Sequence, residues 1–161
     1  MNKLFILALV AGSVVVLDQV TKIYMDTAFH LHESLPVIPD FFSLTYVRNP
    51  GAAFGLFAGQ SSFFRTAFFS VVSLVALSFL ALMVYQAPKD DRWQIVALSL
   101  LLGGAMGNII DRIRLGEVID FLDFYIGTYH WPAFNVADSA ITIGVTLLML
   151  HLYMDKKNAS E

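Results

Sequence analysis

Asp120, in GEVIDFLDF (116–124), and Asp138, in FNVADSA (134–140), are acids that ion pairing at helical spacing does not readily explain. Two carboxylates a few ångströms apart cannot easily both ionise, so one keeps a proton while the other accepts one from water. A pair of this kind hydrolyses a bond without a metal, a cofactor or a nucleophilic side chain, and it suits a chain that has no cysteine. Spacing does not select the pair. Asp123 lies in the same stretch as Asp120, and Asp138 opens an apolar run, where an acid is also favoured as a helix cap or by the helix dipole.

The elements that must position these acids are apolar to an unusual degree. The 161 residues are 57% hydrophobic with a mean hydropathy of +0.67, against about 45–50% apolar in ordinary soluble domains. Four runs free of Asp, Glu, Lys and Arg, 4–17, 66–85, 93–110 and 139–154, predict four membrane-spanning helices at about 4–25, 66–86, 93–113 and 136–154. The first is read as a retained span, because it lacks a convincing small-x-small cleavage site. The chain is expected to be a single integral membrane domain over 1–161, with outer segments at 26–62 and 114–135. Within residues 35–57 of the first segment Phe42, Leu44 and Tyr46 alternate with Ser43, Thr45 and Val47, and NPG supplies turn residues before a second apolar stretch, which predicts a small sheet or hairpin on the membrane. The second, rich in aromatics, reads as an interfacial loop.

Polar residues within the spans fall on shared faces. Asp18, Thr21 and Lys22 stand at i, i+3 and i+4, which allows an ion pair between Asp18 and Lys22. Gly104, Asn108, Asp111 and Arg112 share a stripe of the third helix, and Gly103 with Gly107 forms a GxxxG spacing that lets another helix approach. Charged groups in a membrane helix are costly, so both stripes are expected to face inward, as helix-to-helix glue or as chemistry. Setting aside Lys22 and Arg112 as intrahelical, Lys3, Lys89, Arg92, Lys156 and Lys157 outnumber Arg48, Arg65 and Arg114. The positive-inside rule then puts both termini in the cytoplasm and the two outer segments outside. The net charge of −3 says little about partners, and no basic patch points to nucleic acid. The histidines show no zinc motif, and His30 and His32 read as interfacial loop residues.

Five ordered blocks, LDQVTK (17–22), RNPGAAFG (48–55), GGAMGNIIDR (103–112), GEVIDF (116–121) and FNVADSAITIG (134–144), closely resemble the lipoprotein signal peptidase (signal peptidase II) family over nearly the whole chain. The resemblance implies an all-α membrane protein of four transmembrane helices with a small periplasmic β-sheet or hairpin. It implies an intramembrane aspartyl endopeptidase of the bacterial inner membrane, needing no cofactor. Such an enzyme removes the signal peptide from diacylglyceryl-modified prolipoproteins by cutting before the lipidated cysteine, and globomycin-like cyclic peptides block it. The family's catalytic pair maps onto Asp120 and Asp138, and its supporting positions onto Asp18, Lys22, Asn49, Asn108, Arg112 and Asn135. Without the resemblance, a small proton-coupled transporter using Asp18, Lys22, Asp111 and Arg112 as a relay is the competing reading.

Overall fold

A computed structural model describes residues 2–51 and 61–158. In chain order its elements are α1 (Lys3–Ala28), β1 (Ser34–Ile38), β2 (Phe42–Asn49), α2 (Ser62–Gln86), α3 (Arg92–Leu115), β3 (Val118–Ile126), β4 (Tyr129–His130) and α4 (Val136–Asn158). All four helices are long and apolar enough to cross a membrane. Each extends past the boundary its hydropathy predicts, because a span continues its backbone hydrogen bonds to the interface and long charged side chains can snorkel there. Arg65 and Arg114, counted among the outer charges, therefore belong to the first turn of α2 and the last turn of α3.

Capping side chains fix where the helices start. Asn2 accepts from Leu4 N, Ser61 from Phe64 N and Asp91 from Gln94 N, while Gly116 closes α3 in the left-handed conformation at φ 76°. α3 is the central helix and packs against α1, α2 and α4. The GxxxG spacing explains one of these contacts: a Cβ on Gly103 would sit 2.9 Å from the Ala11 carbonyl, and one on Gly107 2.5 Å from Asp18 Oδ2. Away from the acids the bundle interior is apolar, built from Ile6, Val84, Ala87, Ile95, Leu98 and Leu101. At that end Lys3 Nζ donates to the carbonyls of Tyr85 and Ala87, and His151 pairs with Asp91 and Asp155, pinning the helix ends together.

The outer segments make one antiparallel sheet in the order β1-β2-β3-β4. Of the hairpin expected over 35–57, the strand at 42–47 is present as β2 and pairs with β1 through a turn at 39–41, while the apolar stretch after NPG, at 52–57, lies outside the described residues. The segment 114–135, expected as a loop, instead contributes β3 and β4. Strand alternation did not reveal β3 because Val118, Ile119, Asp120 and Phe121 are buried consecutively, with both faces covered. β2 departs from alternation for another reason. Leu44 pairs with Leu122 but Val47 pairs with Asp120, so Thr45 and Tyr46 together oppose Phe121 in a bulge.

Candidate active site

The bulge decides what Asp120 meets. With unbroken pairing from Leu44 onward, Arg48 would share the Asp120 face of the sheet and Asn49 would turn away. The extra residue reverses this, and Asn49 Nδ2 donates to Asp120 Oδ2 at 2.9 Å. Asn49 is held in turn by its own turn: its Oδ1 accepts from Gly51 N at 2.9 Å, and Gly51 has φ 92°, a conformation suited to glycine. The other Asp120 oxygen, Oδ1, accepts from Asn135 Nδ2 at 2.7 Å.

Asn135 also starts α4. Its Oδ1 accepts from Asp138 N at 2.8 Å and its carbonyl from Ser139 N, so Asn135, not Asp138, caps the helix. Asp138 lies in the first turn with its side chain free of the capping task, and Oδ1 accepts from Asn108 Nδ2 at 2.7 Å. One residue thus sets the depth of Asp138 and touches Asp120.

Beneath the two acids lies a second polar group. Lys22 Nζ is 2.9 Å from Asp18 Oδ2, 2.9 Å from Asp111 Oδ2 and 3.0 Å from Asn108 Oδ1, which uses all three of its protons in a fully buried position. The expected pair between Asp18 and Lys22 is present with Asp111 as a third member, and Thr21 stays outside, bonded to carbonyls of its own helix. Each carboxylate of the group also anchors backbone. Asp18 Oδ1 accepts from Ala137 N at 2.9 Å and Asp111 Oδ2 from Ile119 N at 3.1 Å, the residues just before Asp138 and Asp120. Lys22 also orients the Asn108 amide, since bonding its oxygen leaves the NH2 for Asp138. Asp111 belonged to the polar stripe but not to the expected site; its i+3 spacing from Asn108 was the available signal.

Asp120 and Asp138 line one cavity of about 610 Å³, together with Asn49, a wall of Trp131 to Phe134, and Ser139, Thr142 and Ile143 of α4. Among the described residues no cationic side chain bonds either carboxylate directly. Arg112 interacts with both through space, and its hydrogen bond goes to the Asn108 carbonyl at 3.3 Å. Burial pushes the Asp120 carboxyl up to about 7, the Asp138 charge adds to the rise, and the amides of Asn49 and Asn135 with the charge of Lys22 oppose it. Asp123 is separated from the cavity by strand geometry. It lies on the opposite face of β3 from Asp120, bonded to His130 Nδ1 at 2.9 Å and Thr45 Oγ1 at 3.0 Å. His30 and His32 are exposed in the turn before β1.

The expected residues are thus joined in one network, from Asn49 through Asp120, Asn135 and Asn108 to Asp138, and from Asn108 to Lys22, Asp18 and Arg112. A relay across the membrane is not formed. Among the described residues the buried charges gather at one end of the bundle, with the apolar layer filling the other.

The sequence profile described as "Signal peptidase (SPase) II" matches residues 10–154. The chain is 53% identical over 161 residues to the lipoprotein signal peptidase of Syntrophus aciditrophicus (strain SB), covering 99% of this chain and 100% of that one. It is 49% identical over 156 residues to that of Geobacter metallireducens, covering 97% and 95%. A solved bacterial membrane enzyme superposes with a TM-score of 0.83 at 40% identity, covering 94% of this chain and 90% of that one. The transporter reading finds no support in these likenesses. Fold, buried acids and matched sequence agree: this multi-pass membrane protein belongs to the signal peptidase II family.

Proposed function

We propose that the chain is an intramembrane aspartyl endopeptidase that removes the signal peptide from prolipoproteins, cutting before a cysteine that already carries a diacylglyceryl group. The observation that carries this reading is the pair Asp120 and Asp138, which share one cavity and whose direct bonds come from asparagine amides rather than cations. The pair holds one proton near neutral pH, and its titration belongs to both groups together. The ionised carboxylate takes a proton from water as the water oxygen attacks the scissile carbonyl carbon. The protonated carboxyl polarises the carbonyl oxygen, and a proton passes to the departing amine as the C–N bond breaks. Asn49, Asn108 and Asn135 aim the two carboxylates; Asp18 and Asp111, held by Lys22, fix the backbone that bears them; and Arg112 supplies positive potential to the site.

The cavity walls suit a lipidated substrate. Trp131, Phe134 and Ile143 offer apolar surface beside the acids, and Ile143 lies on a side of α4 that continues outward to lipid. A substrate helix enters sideways from the bilayer, while water arrives from the sheet end. The gathering of Lys3, Lys89, Arg92, Lys156 and Lys157 at the opposite end supports, through the positive-inside rule, an orientation with both termini in the cytoplasm and the site near the periplasmic face of the bacterial inner membrane. Globomycin-like cyclic peptides would compete for the same cavity.

The test is to reconstitute the purified protein with a prolipoprotein in diacylglyceryl-modified and unmodified forms, and to identify products by mass. Release of the intact signal peptide and a chain beginning at the modified cysteine supports the reading. Equal cleavage of both forms, or cleavage elsewhere, overturns it.

A further inference from the structure

Asn49 reaches Asp120 only because of the β2 bulge, and the opposite face of that bulge is clamped to the end of α1. Arg48 Nη2 donates to Asp26 Oδ1 at 2.6 Å, Arg48 Nε donates to the Tyr46 hydroxyl at 2.6 Å, and that hydroxyl donates to the same Asp26 oxygen. Tyr46 is one of the two bulged residues and is buried with Met25, Ile119 and Phe121. Arg48 pairs with Ile119 across the ladder and directly precedes Asn49. None of these three side chains lines the cavity.

We propose that Asp26, Tyr46 and Arg48 are positioning residues for hydrolysis: by tying the bulged strand to α1 they hold the register that aims Asn49 at Asp120. This rests on the reading of Asp120 as a member of the catalytic pair. A one-residue slip would return Arg48 to the Asp120 face and withdraw the amide. The clamp resists that slip because the guanidinium fork reaches a carboxylate and a hydroxyl at once, a geometry lysine cannot copy. The helix end is itself fixed, since Met25 and the Lys22 group lock α1 in the core.

Positioning by the clamp leaves a signature distinct from a general contribution to folding. Loss of the Asn49 bond removes a donor that favours the charged form of Asp120, and the pH–rate profile moves upward. The charged groups that face Asp120 from the packed helices, Asp138 on α4, Lys22 on α1 and Arg112 on α3, are unchanged in the clamp variants.

The experiment compares kcat, KM and pH profile for Asp26→Asn, Arg48→Gln and Tyr46→Phe, each alone and combined with Asn49→Ala. Tyr46→Phe keeps the buried ring, so it reports on the clamp even where another variant fails to fold. The single variants are expected to lower kcat by up to about 100-fold, the scale of a small misplacement, with KM little changed and the profile displaced upward. Asp26→Asn and Arg48→Gln remove opposite charges, so a purely electrostatic effect would displace the profile in opposite directions; the clamp displaces both upward. In the Asn49→Ala background the clamp variants should add almost nothing. Full additivity with Asn49→Ala, or unchanged kcat in all three single variants, overturns the proposal. If Asn49→Ala itself keeps wild-type rate and profile, the amide does not position Asp120 and the clamp proposal fails, whereas wild-type rate in Asp120→Asn would sink the catalytic reading on which it rests.

Discussion

Two groups of acids, buried except for the half-buried Asp138, lie close together in this protein and are treated in opposite ways. Asp18 and Asp111 share Lys22, and their remaining capacity is spent on backbone and on Gln19. Asp120 and Asp138 receive asparagine amides, face a cavity and have no bonded cation among the described residues. Asn108 joins the two groups, oxygen toward Lys22 and nitrogen toward Asp138. On the proposed reading, one short chain uses the same residue type as scaffold and as reagent. Carboxylates that share a cation give rigidity, whereas the carboxyl of Asp120, held by neutral donors and pushed up to about 7, can exchange a proton near neutral pH.

Removing the cation should do the most damage. Lys22→Met leaves two buried carboxylates uncompensated, at a cost of about 3–5 kcal/mol, and loosens the backbone ahead of both Asp120 and Asp138. Thermal melting in detergent should fall sharply and cleavage should disappear with it; a stable, active Lys22→Met protein would erase the distinction between the groups. Asn135→Ala comes next. It removes a helix cap worth about 0.5–2 kcal/mol and also a donor to Asp120, so melting temperature and kcat should fall together.

Asp120→Asn should separate the two quantities. The folded value of about 7 lies above the ordinary 3.8, so the folded protein binds this proton more tightly than the unfolded chain does. The associated stability is complete below about pH 3.8 and is lost as pH rises through about 7. An amide carries no such dependence. Asp120→Asn is therefore expected to melt above wild type at pH 8, with the gap closing toward pH 4, although the variant is inactive. A variant that melts below wild type at pH 8 would show that Asp120 is a structural anion. The smallest effect is expected from Asp123→Asn. Its pair with His130 is partly exposed and directed away from the cavity, so activity should stay near wild type and stability should change by less than about 1 kcal/mol.

Hydropathy alone exposed the four spans, because a bilayer demands long runs without charge. The i, i+4 relation of Asp18 and Lys22 and the Gly103 to Gly107 spacing were legible too, since helical periodicity fixes which side chains meet. The sheet was only half legible. Covering β3 on both faces removed its alternation, and the β2 bulge, which exchanges the roles of Arg48 and Asn49, has no signature in the residue types. Asp138 illustrates the limit at a single residue. Its place at the start of an apolar run suggested a capping acid, but Asn135 takes that task and leaves the Asp138 side chain to the cavity. Choosing Asp120 over Asp123 likewise required knowing which face of a strand each occupies. In the sequence, family resemblance supplied what periodicity could not.

The most direct measurement is cleavage of a diacylglyceryl-modified prolipoprotein by wild type, Asp120→Asn and Asp138→Asn in the same reconstituted membranes, with melting curves confirming that all three are folded. Each single substitution should lower the rate by about 10²–10⁴-fold, the usual contribution of a positioned acid or base. Near wild-type cleavage by either folded variant would remove that aspartate from the pair and contradict the account.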